Sequence, residues 1–247
     1  MRIDILTLFP SMFAEPLNTS ILGRAQADRK LKLGIWNIRD YSLNKHRVVD
    51  DTPYGGGAGM VLKPDVVVAC IEHVKTVNSG PVIYMSPQGE SFSQTKAKAL
   101  ADLAEFIILC GHYEGLDERV LEHWVDQEIS IGDYVLTGGE IPAMVIVDAV
   151  SRMIPGVLGH AESAQTDSFY QGLLEHPHYT RPADFRDLQV PMVLMSGHHD
   201  NIRRWRLKES LRRTLIRRPD LLQERQLTKE ENDLLAELHR DKDSERR

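Results

Sequence analysis

The chain has 247 residues, 42% apolar and 27% charged, the composition of an ordinary globular protein of one or two domains; wholesale disorder and collagen-like repetition are excluded. No run approaches ~18 consecutive apolar residues, and Asp4 and Pro10 interrupt the opening MRIDILTLFP where an export signal needs a longer apolar stretch, so neither a membrane span nor secretion is expected and a cytoplasmic location is. The net charge of −6, taken alone, argues against nucleic acid as a partner, because phosphate binding requires a local excess of Lys and Arg.

Taken in chain order, MRIDILTLF reads as a buried strand, NTSILGRAQADRK as a helix and LKLGIWNIRDY as a second strand. A glycine-rich loop follows, then PDVVVACIEHVKTV as helix and PVIYMS as strand. SFSQTKAKALADLA reads as a helix in which Ser91 and Gln94 have capping-box spacing. FIILC predicts a strand, LDERVLEHWV a helix, QEISI a strand, and GEIPAMVIVDAVSRMI a helix that tolerates Pro142 in its first turn. Strands alternating with helices predict an α/β domain with a mostly parallel sheet covered on both faces. Cys70 and Cys110 each close an apolar run and are expected to be buried free thiols of a reducing compartment.

The character changes near residue 160. GHAESAQTDSFYQG is polar, lacks a period and reads as a mobile linker; after a loop-rich entry the remainder reads as helical. Domains are therefore expected at 1–160 and 173–247, joined by a linker at 161–172. Between Arg203 and Arg218 stand eight basic residues and one acid, Glu209, a local charge of +7. On a helix, Arg206, Arg213 and Arg217 share one side while Trp205, Leu211 and Leu215 turn inward. The stretch reads equally as a solvated face or as a phosphate-binding one.

The dinucleotide, NTPase, zinc and serine-hydrolase motifs are absent. His176, His178, His198 and His199 read as loop histidines rather than a metal set, and no residue is assigned to a metal. Three glycine-bearing loops follow predicted strands: YMSPQGE (84–90), CGHYEGLDER (110–119) and IGDYVLTGGE (131–140). Ligands of open α/β sheets bind outside the carboxyl ends of the strands, so the loops can converge on one ligand; any one alone reads first as a tight turn, although IGDYVLTGGE is long for that and carries many special residues. VVDDTPYGGGAGMVLKP (48–64) is either an ordered loop that cradles a phosphate or a flexible linker.

With these loops in view, the chain resembles over essentially its whole length the bacterial tRNA (guanine-N1)-methyltransferases that modify guanine 37 beside the anticodon. The matching segments include FPSMF, VVDDTPYGGGAGM, SPQG, IGDYVLTGGE, SRMIPGVLG, TDSF, LLEHPHYTRP and SGHHDNIRRWR. The resemblance implies a sheet domain carrying a deep trefoil knot, S-adenosylmethionine as methyl donor, a homodimer whose sites draw on both subunits, a helical C-terminal domain that grips tRNA, and no membrane role. Carried over by residue, it implies donor contacts from Tyr84, Met85, Ser86 and Pro87, from Gly111, Tyr113, Glu114 and Gly115, and from Ile131, Gly132, Asp133, Tyr134, Val135, Leu136, Gly138, Gly139 and Pro142. Asp167 and Arg152 match the catalytic pair, and Asp50, Gly57 and Gly59 are placed on the substrate side; Arg206, Arg213 and Arg217 are expected, from their charge and shared helix side, to meet tRNA phosphates. The family is associated with magnesium, which Glu114 and Asp167 would help hold.

The chemistry asks for these residue types. Guanine N1 carries a proton and becomes nucleophilic only when a base removes it, a role for a carboxylate; the charge that moves onto O6 calls for an arginine. Without the resemblance, Asp167 reads as a helix cap or solvated acid and Arg152 as an ion-pair partner of Asp148. A base on the segment from about 160 to 171 would be ordered only over bound tRNA. Two other readings stand beside this one: a non-catalytic RNA-binding protein whose glycine loops are turns, and a knotted 2′-O-ribose methyltransferase.

Overall fold

The computed structural model describes residues 1–159, 167–223 and 225–245 and divides into two compact units, 1–161 and 162–247. The first is an α/β unit. Its five strands, β1 (Arg2–Thr7), β2 (Lys32–Asn37), β5 (Val82–Ser91), β6 (Glu105–Cys110) and β7 (Gln127–Ser130), form one parallel sheet in the order β2-β1-β6-β5-β7. A short antiparallel pair, β3 (Asp50–Asp51) and β4 (Val61–Leu62), roots the glycine-rich loop. Alternation along β6 shows why both faces are covered: Phe106, Ile108 and Cys110 pack with α1 (Ser20–Ala27), α3 (Gln94–Ala101) and α5 (Glu140–Ser151), whereas Ile107 and Leu109 pack with α2 (Pro64–Lys75) and α4 (Glu118–Trp124).

Several boundaries differ from expectation for local reasons. The second strand stops at Asn37, whose side chain accepts from Arg39 N and starts a 3-10 turn. The third, expected at 81–86, continues to Ser91 through an irregular register against β7 between Met85 and Glu90. That extension consumes Ser91, so the cap of α3 is Ser93, whose Oγ accepts from Lys96 N at 3.3 Å. Both thiols are free and buried; burial, with Glu140 nearby, pushes that of Cys110 well above its ordinary value. No helix among the described residues is long and apolar enough to cross a membrane.

At the amino-terminal side of the sheet Asp4 is fully buried and accepts four hydrogen bonds. Arg2 Nε and Nη2 lie at 2.6 and 3.1 Å, Trp36 Nε1 at 2.7 Å and Asn78 Nδ2 at 2.7 Å. Gly34 makes room for it: a Cβ there would fall 2.0 Å from Asp4 Oδ1. Burial alone would raise the carboxyl, but the bonds from Arg2, Asn78 and Trp36 together hold it below the usual carboxylate range.

The second unit is built on α6 (His199–Arg217) and α7 (Lys229–Glu245) around Leu211, Leu234 and Leu238. His199 therefore opens a helix rather than lying in a loop. Leu207, not Trp205, joins this core; Trp205 instead meets the Tyr179 ring. The loop-rich entry contains a small hairpin, β8 (Asp184–Phe185) with β9 (Leu188–Gln189), turned by Arg186 and Asp187 at positive φ. Helix α7 begins with a capping box in which Glu231 accepts from Thr228 N and Thr228 Oγ1 from Glu231 N. Half of the expected linker, 161–166, lies outside the described residues. Its remainder, 167–172, forms turns, with Tyr170 N donating to Asp167 O and Gly172 N to Phe169 O.

Candidate active site

Strands β6, β5 and β7 are neighbours, and the loops that leave their carboxyl ends meet around a cavity of about 240 Å3. Its wall carries every residue that the resemblance assigned to the donor except Asp133, which is exposed and off the wall. Four residues that sequence reasoning left out also line it: His112, Ile129, Ser130 and Thr137. The strand-end rule pointed to Ile129 and Ser130, the last residues of β7, while His112 and Thr137 lie within segments already singled out.

Close backbone packing explains the glycines. Gly139 N donates to Gly111 O at 2.9 Å, and a Cβ at Gly139 would sit 2.8 Å from the Cys110 Cα. A Cβ at Gly111 would fall 2.4 Å from Tyr84 Oη. The Tyr84 phenol is pushed up to about 12, chiefly by burial and then by Glu128 and Cys110, so it remains a protonated donor on the wall. Tyr134 Oη donates to Ile131 O at 3.2 Å, folding the third loop onto itself. Apolar Met85, Ile129 and Leu136 share the wall with polar Ser86, Glu114 and Ser130, a mixed lining.

The glycine-rich loop is tied to the rim of this cavity. Leu62 N donates to Gly115 O at 3.0 Å and Glu114 N to Met60 O at 2.9 Å. Gly59, at φ +88, lies against Glu114, so a Cβ there would fall 2.2 Å from Glu114 Oε1. Gly57 stands in open space at φ +125, and Asp50 is half-buried in β3.

Arg152 caps the far end of α5, about 15 Å along the helix axis from Pro142, and is not on the cavity wall. Asp167 belongs to the second unit, where it lines a separate cavity with His176, His199, Arg203 and Arg206. Among the described residues no three carboxylate, imidazole or thiol groups converge as metal ligands.

Along α6 most of the basic residues are already engaged. Arg203 makes a two-pronged bond to Glu230 at 2.9 and 2.8 Å, Arg204 and Lys208 meet Glu237, Arg212 meets Glu209, and Arg218 meets Asp220. Among the described residues Arg206 and Arg217 have no ion-pair partner, and both are exposed. Arg213, on the same side, is half-buried with Nη1 3.4 Å from Glu175 O, which ties it into the fold.

The comparisons agree with this architecture. The family pattern described as tRNA (Guanine-1)-methyltransferase TrmD matches residues 1–224. A tRNA (guanine-N(1)-)-methyltransferase of Desulforamulus reducens is 61% identical, covering 96% of this chain and 95% of its own. Proteins of the same name from Pelotomaculum thermopropionicum and Bacillus cereus are 57% and 58% identical, covering 96% and 98% of this chain and 96% and 100% of theirs. With such matches spanning nearly its whole length, the chain belongs to the tRNA (guanine-1)-methyltransferase family.

Proposed function

We propose that the protein transfers a methyl group from S-adenosylmethionine to N1 of guanine 37 in tRNA, in the cytoplasm, giving 1-methylguanosine and S-adenosylhomocysteine. The observation that carries the reading is the convergence of three glycine-bearing loops on one cavity at the carboxyl edge of a parallel sheet, in a chain of this family. The domain roles follow the expected division: 1–160 for transfer, 161–172 as linker and 173–247 for tRNA. A trefoil knot is supported by the path of the chain. After the edge strand β7 it returns past β6, through the Gly139–Gly111 bond, to the Glu140–Thr7 bond at β1.

The donor supplies an electrophilic methyl on a sulfonium, whose carbon–sulfur electrons return to sulfur on transfer. The loops hold it in line with the incoming base and exclude water. Asp167 accepts the N1 proton as the base attacks, Arg152 offsets the charge that reaches O6, and Glu114 faces the donor's cationic end. The homodimer is part of this proposal, because Arg152 stands out of reach of its own chain's cavity. Ile141 and Val145, 48% and 41% exposed, share an outward stripe of α5 with Asp148 and Arg152. A second copy packed on that stripe covers the apolar pair and brings its arginine to the neighbouring site.

Relatives at 57–61% identity all bear the guanine-N1 name, so the non-catalytic and ribose-methylating alternatives are not favoured. The test is incubation with labelled donor and paired tRNA transcripts carrying guanine or adenine at position 37. Label is expected in the guanine transcript alone; equal label in both would overturn the reading. In the same proposal Arg206 and Arg217 meet phosphates. Replacing both with Ala is expected to reduce the slope of log affinity against log salt by about 1.5, read by filter binding over a salt series. An unchanged slope would remove them from the interface.

A further inference from the structure

We infer that His176 is a specificity-determining residue that accepts a hydrogen bond from the 2-amino group of the target guanine, beside Asp167. The inference rests on the reading of Asp167 as the base that meets N1, and it adds an interaction that reading does not require.

The turn after Asp167 folds the chain back on itself. Phe169 N donates to Leu173 O at 2.8 Å, and Glu175 N donates to Ser168 Oγ at 3.0 Å. Asp167 and His176, the residues just outside these bonds, line one cavity of about 940 Å3 within the second unit, with Arg206 and His199. The cavity is roomy enough for a nucleotide.

The hydrogen bonding of His176 fixes which nitrogen is available. Nδ1 lies 3.2 Å from Pro177 O. A carbonyl only accepts, so Nδ1 carries the proton and Nε2 of the neutral ring keeps its lone pair. Burial lowers the ring's proton affinity most; His178 and Arg206 lower it further, and together they outweigh the Pro177 bond and Glu175. At neutral pH the ring is therefore an uncharged acceptor.

Guanine presents two donors side by side on its Watson–Crick edge, N1–H and the 2-amino group. A carboxylate serves the first, because it must finally take the proton. The second needs an acceptor as well, and a second carboxylate alongside would add a like charge and raise the affinity of both for protons. A neutral imidazole accepts through Nε2 without adding that charge.

Hypoxanthine differs from guanine by loss of the 2-amino group and keeps N1–H and O6, which gives a direct test. Single-turnover methyl transfer would be compared on two tRNAs identical except for guanine or hypoxanthine at position 37, using the wild type, His176→Gln and His176→Phe. The wild type is expected to prefer guanine by about tenfold or more in kcat/KM. His176→Phe should bring the two rates within about twofold by slowing guanine and sparing hypoxanthine. His176→Gln, whose amide oxygen also accepts, should restore part of the preference. The ratio is independent of the fraction of enzyme folded. A wild type without preference, a preference retained in His176→Phe, or equal loss on both substrates would overturn the inference. Failure of the proposed function looks different: no transfer to guanine by the wild type.

Discussion

Asp167→Asn is expected to slow methyl transfer to guanine N1 by about 100- to 10,000-fold while leaving the donor's affinity unchanged. The substitution keeps the shape of the side chain and removes its ability to take a proton, and a neutral guanine N1 has no lone pair to offer until its proton leaves. Donor affinity should hold because Asp167 is on no wall of the donor cavity; its neighbours are Gln171, Leu173, His176 and Arg206 in the second unit. Single-turnover transfer and titration calorimetry with the donor read the two quantities separately. A loss below about threefold would take the role of base away from Asp167 and would favour transfer to a ribose hydroxyl, which needs no N1 deprotonation.

The largest expected effect on stability lies at the opposite edge of the sheet. Asp4→Ala should cost about 3 kcal/mol, because Trp36 Nε1 and Asn78 Nδ2 lose a buried acceptor and the Arg2 guanidinium loses its counter-charge. For the α/β unit that corresponds to a melting temperature lower by about 6–12 °C. The effect has a pH signature. The folded Asp4 carboxyl sits below its unfolded value, so its contribution is complete above the ordinary carboxylate range and is lost as pH falls through the folded value. Urea midpoints of wild type and variant should therefore stay equally separated from about pH 6 to 8 and converge in acid, below about pH 4. A gap that persists undiminished to low pH would assign the loss to packing instead of charge. Donor affinity of the folded variant should match the wild type, since the network lies away from the carboxyl ends of the strands.

The apolar runs made the strands legible, because each central strand is buried on both faces and must be hydrophobic throughout. The loops at their ends were legible too, since glycine at Gly111 and Gly139 records a backbone approach that no side chain permits. Other features carry no local signature. The continuation of β5 through PQGES depends on an irregular register with β7, which alternation does not report, and it displaced the cap from Ser91 to Ser93. The β8–β9 hairpin turns on Arg186 and Asp187 at positive φ instead of the usual Asn-Gly, so composition hid it. The neighbourhood of Asp167 and His176 arises from a turn whose closing bonds involve a serine hydroxyl and backbone groups, and spacing alone does not announce it.

The ion pairs between α6 and α7 bear on how such a protein lives among other polyanions. Arg203, Arg204 and Lys208 are held by Glu230 and Glu237, so the helix shows the solvent far less charge than its composition implies. Counterion release, and with it the indiscriminate hold on any phosphate chain, scales with the cations left free. In the proposed tRNA-gripping role, a helix with most of its charge committed internally is expected to dissociate quickly from the wrong RNA, leaving its dwell time on the right one to shape and to the target base. On that proposal, abundant ribosomal and messenger RNA would be a weak competitor, sampled and released.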